Sequence, residues 1–134
     1  MRSIKVLVAL SASVVFFVLL AQSDADYQGW MKSVAGSKGK VTKGIAAKDA
    51  AAVTADAKTL EDVFKQVEAY WGTKNAADAV GFAKQARTAA SDIGKAAAKG
   101  DFDAAATANT ALGATCGGCH MAHREKGDSG FKIK

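Results

Sequence analysis

The segment Asp49–Trp71, with the sequence DAAAVTADAKTLEDVFKQVEAYW, carries the pattern that decides the fold of this chain. Its apolar side chains recur three or four residues apart, at Val53, Ala57, Leu60, Phe64, Val67 and Trp71. Side chains with this spacing lie on one face of an α-helix. The segment is therefore predicted to be an amphipathic helix that ends at Gly72 and packs its apolar face against other helices.

Two more helices are predicted after this segment. Asn75, with Asp78 three residues on, is predicted to cap a third helix. The apolar stripe of the third helix consists of Ala79, Phe82, Ala86, Ala90, Ile93 and Ala97. Gly100 is expected to end it, and Asp101 to cap a fourth helix. The inward face of the fourth helix consists of Phe102, Ala105, Ala108, Leu112, Cys116, Cys119 and His123.

The segment from Tyr27 to Ala47 is predicted to be the first and least regular helix. Gly36, Gly39 and Gly44 each cost about 1 kcal/mol against alanine in a helix interior. The chain contains no proline, and helix is favoured from Tyr27 to Lys126. Helices joined by very short connections run antiparallel to their neighbours in sequence. The predicted fold class is all-α, an antiparallel up-down-up-down four-helix bundle with an alanine-rich core.

Residues 1–25 are predicted to be a signal peptide. Arg2 and Lys5 are followed by an uncharged, mostly apolar run from Val6 to Ala21, and small residues after it offer a cleavage site. The alternative is an uncleaved anchor, although this run falls slightly short of the about 17–25 residues that span a bilayer. We therefore expect residues 26–134 to form one domain in the periplasm, with no membrane segment after cleavage.

The charge of the mature chain is mildly positive. Removing Arg2, Lys5 and Asp24 from the 18 basic and 13 acidic residues leaves 16 and 12, a net charge of +4. The basic residues are scattered and not clustered with aromatic residues, so no nucleic-acid surface is predicted. A mild positive charge favours encounter with an acidic protein partner at low salt.

The segment Cys116-Gly117-Gly118-Cys119-His120 lies near the C-terminus of the fourth predicted helix. Positions i, i+3 and i+4 share a helix face, so the two thiols and the imidazole can hold one flat ligand together. In haem c, two thiols add to the porphyrin vinyl groups and the imidazole binds the iron. In an exported chain, where free cysteines would otherwise pair, the segment predicts one covalently bound haem c.

Two other interpretations of these residues are weaker. A thiol–disulfide enzyme places C-x-x-C at the start of a helix that follows a strand, and no strand is predicted before Cys116. Zinc would need Cys116, Cys119, His120 and His123 together. Positions i and i+7 lie about 10.5 Å apart along a helix, whereas zinc ligands converge to about 2.0–2.3 Å from the metal.

The second axial position of the iron has one candidate ligand. His123 and Met121 lie on the same helix as His120, so neither can reach the opposite face of the porphyrin. Met31 lies one turn beyond Tyr27 on the first predicted helix, and the two can share an inward face. Met31 is therefore predicted to bind the iron. The alternative is a methionine that fills space in the core.

Two charged or titratable residues flank the motif. Arg124, four residues after His120, is predicted to reach a haem propionate or the proximal side of the haem. The alternative is a solvated arginine that interacts favourably with the helix dipole. His123 is expected to be an exposed bystander near the haem edge.

An exported, alanine-rich four-helix chain with CGGCHMAHR near its end resembles the class II c-type cytochromes, the cytochrome c prime family. The resemblance covers about Tyr27 to Glu125 and includes the turn Gly100-Asp101-Phe102, whereas Asp128 to Lys134 lies outside it. It implies thioether bonds at Cys116 and Cys119, His120 as the proximal ligand, Arg124 as a proximal basic residue and Met31 facing the distal iron site.

The resemblance also sets two expectations for function. Low-spin members of that family have a methionine on the first helix and carry electrons, whereas five-coordinate members bind nitric oxide or carbon monoxide. Met31 favours the first group. The chain is predicted to be a periplasmic cytochrome that exchanges single electrons with a redox protein, and not an enzyme; gas binding is the alternative. The resemblance also allows a homodimer, because family members often pair through their first two helices.

Overall fold

A computed structural model describes residues 22–134. It contains four helices, α1 (Asp24–Ala47), α2 (Ala50–Thr73), α3 (Ala77–Ala98) and α4 (Phe102–His123). An antiparallel hairpin follows, with β1 (Arg124–Gly127) paired to β2 (Gly130–Ile133). Within these residues, no helix is both long and apolar enough to cross a membrane. Residues 1–21 of the predicted signal peptide lie outside the described part of the chain.

The four helices form the predicted bundle, in which each helix runs antiparallel to the next. Connections of two or three residues join them, which brings sequence neighbours side by side. Residues near the start of one helix therefore meet residues near the end of its neighbour. The contacts that define this arrangement are Tyr27 with Trp71, Ala57 with Gly94, Phe82 with Gly118, and Lys38 with Gly113.

The stripe predicted on α2 forms the centre of the core. All six of its apolar residues are buried, and Leu60 is 0% exposed. The neighbouring helix α3 contributes mainly alanine, in line with the predicted alanine-rich core, and these small side chains let the helices approach closely. The buried alanines of α3 and α4 are Ala79, Ala83, Ala86, Ala89, Ala90, Ala97 and Ala105.

The helix boundaries confirm one predicted cap and correct another. Asp101 caps α4 by accepting a hydrogen bond from the backbone N–H of Ala104 at 2.9 Å, after Gly100 in the left-handed conformation. The prediction that Asn75 caps α3 is wrong. Ala76 occupies the N-cap position without a side-chain hydrogen bond, and Asn75 has a φ of 55°. Asparagine tolerates this conformation, so it forms the turn before α3 and leaves the cap to its neighbour.

α1 is an uninterrupted helix in spite of its glycines. Close packing explains the glycine at position 44, because a Cβ there would lie 2.7 Å from Cγ2 of Val53 on α2. At its other end, Ser23 and Asp26 form a reciprocal capping box. Packing against α2 therefore offsets the low helix propensity from which this segment was predicted to be the least regular of the four helices.

The C-terminal hairpin was not predicted, and the expectation of helix as far as Lys126 is wrong beyond His123. Arg124 adopts an extended conformation, and Gly127 pairs with Gly130 across a two-residue turn. The sequence signal is the run Gly-Asp-Ser-Gly, which is typical of a turn between strands. The hairpin is held on the bundle because Ile133 packs against the core and the Gln28 side-chain amide donates to the carbonyl oxygen of Phe131.

Candidate functional site

An apolar cavity lies between all four helices at the end of the bundle where α4 terminates. The empty space there is about 410 Å³ when the open solvent at its mouth is included. The cavity brings together four of the five predicted site residues, Cys116, Cys119 and His120 from α4 and Met31 from α1. Aromatic side chains from α2 and α3, Phe64 and Phe82, line it as well.

The two cysteines are partly buried free thiols. Burial raises the pKa of the Cys119 thiol to about 11, and the nearby charges of Cys116 and Asp78 add to the shift. Burial also raises the pKa of Cys116, against the opposing effect of the Lys38 cation. Cysteines of thiol–disulfide enzymes have lowered pKa values, because the thiolate is the nucleophile. The two thiols here have raised values instead.

His120 lies between this cavity and a second, smaller one under the hairpin. Burial lowers the pKa of its imidazole, and the positive charge of Arg124 lowers it further. A neutral imidazole is the form that binds a metal. Arg124 itself is exposed, and its guanidinium lies over the ring of Phe131 at 4.0 Å from the centroid. The hairpin thus holds the Arg124 guanidinium near His120, and both residues line the smaller cavity.

His123 is not the exposed bystander that was expected. Its Nε2 lies 2.7 Å from Oδ2 of Asp78 on α3, and its ring packs on Trp71 of α2 with centroids 4.7 Å apart. The hydrogen bond from His123, together with backbone hydrogen bonds, lowers the pKa of Asp78. His123 therefore fastens the end of α4 to α2 and α3, which positions the cavity-lining residues of α4.

The two glycines between the cysteines differ in their surroundings. A Cβ at Gly118 would lie 2.8 Å from Cε1 of Phe82, whereas a Cβ at Gly117 would meet nothing within 4 Å. Gly118 therefore lets the ring of Phe82 rest against the backbone of α4. This contact fixes one wall of the cavity.

The Gly118→Ala variant is expected to be less stable than Gly117→Ala by about 1–3 kcal/mol, because its methyl group overpacks the contact with Phe82 while both variants gain the helix propensity of alanine. Gly117→Ala is the matched control, and it should raise the free energy of unfolding by up to about 1 kcal/mol through helix propensity. Urea unfolding of both variants measures the difference. Equal effects of the two substitutions would contradict the role given to Phe82.

Lys38 is a residue of this region that the sequence interpretation missed. It follows Met31 and Val34 at helical spacing and precedes Val41, so it occupies a position on the buried face of α1. A lysine that interrupts an apolar stripe is a signal visible in the sequence.

The residues fit a haem c. Two thiols and one imidazole from α4 face an apolar cavity, and a methionine thioether faces the same cavity from another helix. Within residues 22–134, no three or more His, Cys, Asp or Glu side chains form a group that could hold a metal ion. Comparisons of the chain with protein-family models, with curated proteins and with solved structures find no match.

Proposed function

We propose that this protein is a periplasmic c-type cytochrome that transfers single electrons through one covalently bound haem c. In this proposal Cys116 and Cys119 form the thioether bonds, and His120 and Met31 are the axial ligands of the iron. The proposal retains the resemblance to the low-spin members of the cytochrome c prime family. We also propose that the protein exchanges these electrons with an acidic redox protein.

One observation carries the proposal, namely that Met31 on α1 lines the same cavity as Cys116, Cys119 and His120 on α4. α4 would hold a haem c through Cys116, Cys119 and His120, and a second ligand would have to come from another helix. α1 packs beside α4, as the hydrogen bond between Thr42 and Asn109 illustrates. It is therefore suited to provide the second ligand.

The side chains of the cavity have separate roles. Cys116 and Cys119 would hold a haem c covalently, and His120 would offer it a neutral imidazole. Phe64 and Phe82 exclude water from the cavity. A haem c supplies a one-electron couple between Fe(III) and Fe(II), whose potential depends on the axial ligand and on burial. A thioether ligand and an apolar cavity both favour the reduced state, so this site suits an electron carrier.

Met31→Ala is expected to turn a six-coordinate haem into one that binds carbon monoxide readily. The wild-type protein, produced in a host that attaches haem c, should bind carbon monoxide poorly and show the weak far-red band of sulfur-ligated Fe(III). The variant should lose this band and bind carbon monoxide, because the thioether no longer occupies the second axial position. Absorption spectra of both oxidation states, with and without the gas, measure the change.

Met121→Ala is the matched control, since Met121 is 82% exposed on α4. It should leave the spectra and carbon monoxide binding as in the wild type. A wild-type protein with high-spin spectra and ready carbon monoxide binding would instead support the gas-binding alternative. A colourless protein from the same host would contradict both functions.

A further inference from the structure

Lys38 differs from every other lysine between residues 22 and 134, because it alone is not exposed. It lies on α1 between Val34 and Val41, which are both buried. Lysine is almost never fully buried unless its charge is paired, and Lys38 is already partly buried. Its position on this face therefore needs a physical reason.

The Lys38 side chain extends from α1 across to α4. Its Nζ lies 3.7 Å from the point where a Cβ of Gly113 would be, and its Cε lies 3.8 Å from that point. Gly113 lies one turn before Cys116. The positive charge of Lys38 acts to lower the pKa of the Cys116 thiol, against the larger effect of burial. The ammonium thus lies against Gly113, one turn of α4 before Cys116, and Lys38 itself lies one turn along α1 from Val34, which lines the cavity.

The Lys38 ammonium has no anionic partner in the described residues. None of the ion pairs between residues 22 and 134 includes it. Residues 1–21 contain neither aspartate nor glutamate, so they have no carboxylate side chain to offer. A partly buried cation without a counter-ion is costly, and it points to an anion that comes from outside the polypeptide.

We propose that the Lys38 ammonium binds a carboxylate of the cofactor, a propionate of haem c. This inference rests on the proposed function, and it holds equally if Met31 does not bind the iron. Haem carries two carboxylates, and the apolar cavity lining offers them no cation of its own. Arg124, the residue predicted from the sequence for this role, has its guanidinium stacked on Phe131 at the hairpin. Lys38, by contrast, is partly buried near the cavity and has neither an anionic nor an aromatic partner among the described residues.

The test compares the haem-loaded wild type with Lys38→Met, Lys38→Arg and the control Lys40→Met. Lys40 is exposed two residues further along α1, so its variant removes the same charge from solvent. Spectroelectrochemistry gives the reduction potential of each protein from about pH 4 to about pH 9, a range that includes carboxyl titration. The other titratable groups at the cavity, Tyr27 and His120, are present in all four proteins.

Lys38→Met is expected to lower the reduction potential at neutral pH, because an unpaired carboxylate near the iron stabilises Fe(III). It should also move the carboxylate titration, seen as a step in the pH profile, upward by about one pH unit or more, because the carboxylate loses its cation. Lys40→Met should leave both quantities close to the wild type. Lys38→Arg should restore them, since it keeps the charge.

Identical potentials and pH profiles for Lys38→Met and Lys40→Met would overturn the inference while leaving the proposed function intact. A loss of unfolding stability in Lys38→Met without a change in potential would also overturn it. That result would assign Lys38 to a protein group, such as the buried side-chain oxygen of Asn109, which has no hydrogen-bond partner in the described residues. A chain that carries no haem c would contradict the proposed function and this inference with it.

Discussion

A chain with Cys116→Ser and Cys119→Ser is expected to retain no covalently bound haem. Both thiols line the cavity beside His120, and serine hydroxyls do not form thioether bonds with vinyl groups. The measurement is a haem stain of a denaturing gel, in which only covalently attached haem stays with the polypeptide. The expected change is complete, from a stained band in the wild type to none in the double variant.

Thr115→Ser serves as the matched control, because Thr115 also lines the cavity but carries no thiol. This variant should keep the stained band. A stained band in the double variant would contradict attachment at these cysteines. If the wild-type chain from a haem-attaching host shows no stain and two titratable thiols, the haem proposal fails and a thiol function regains support.

Leu60→Ala is expected to lower the free energy of unfolding by about 2–5 kcal/mol. Leu60 is 0% exposed at the centre of α2, and truncating it leaves a cavity that neighbouring alanines are too small to fill. Such a loss is large against a total stability of about 5–15 kcal/mol for a domain of this kind. Chemical denaturation monitored by circular dichroism measures it.

Thr59→Ala, at the adjacent exposed position, is the control for Leu60→Ala. It removes a surface side chain whose hydroxyl donates only to the carbonyl oxygen of Ala55 within the same helix. Its effect should stay within about 0.5 kcal/mol. Similar losses for the two variants would mean that the apolar stripe of α2 does not form the core of the bundle.

Much of the fold could be predicted because it depends on local patterns. The stripe of α2 repeats every three or four residues, and each of its members is buried. The Gly100-Asp101 boundary was predictable for the same reason, since a left-handed glycine and a capping carboxylate act on adjacent residues. Asn75 shows the limit of such rules, because its side chain suits both a cap and a left-handed turn. In the connection between α2 and α3, Asn75 adopts the left-handed turn conformation and Ala76 takes the N-cap position.

In the candidate site, too, some features follow from local sequence and others depend on how the helices pack. The sequence determined which residues of α4 share a face, Cys116, Cys119 and His120, because a helix fixes the relative directions of side chains three and four residues apart. Only the tertiary structure placed Met31 on the same cavity, since that depends on how α1 packs beside α4. It also decided that His123 binds Asp78, that Arg124 lies on Phe131, and that Lys38 crosses to Gly113. These contacts join residues far apart in the sequence, and helical periodicity carries no information about such distances.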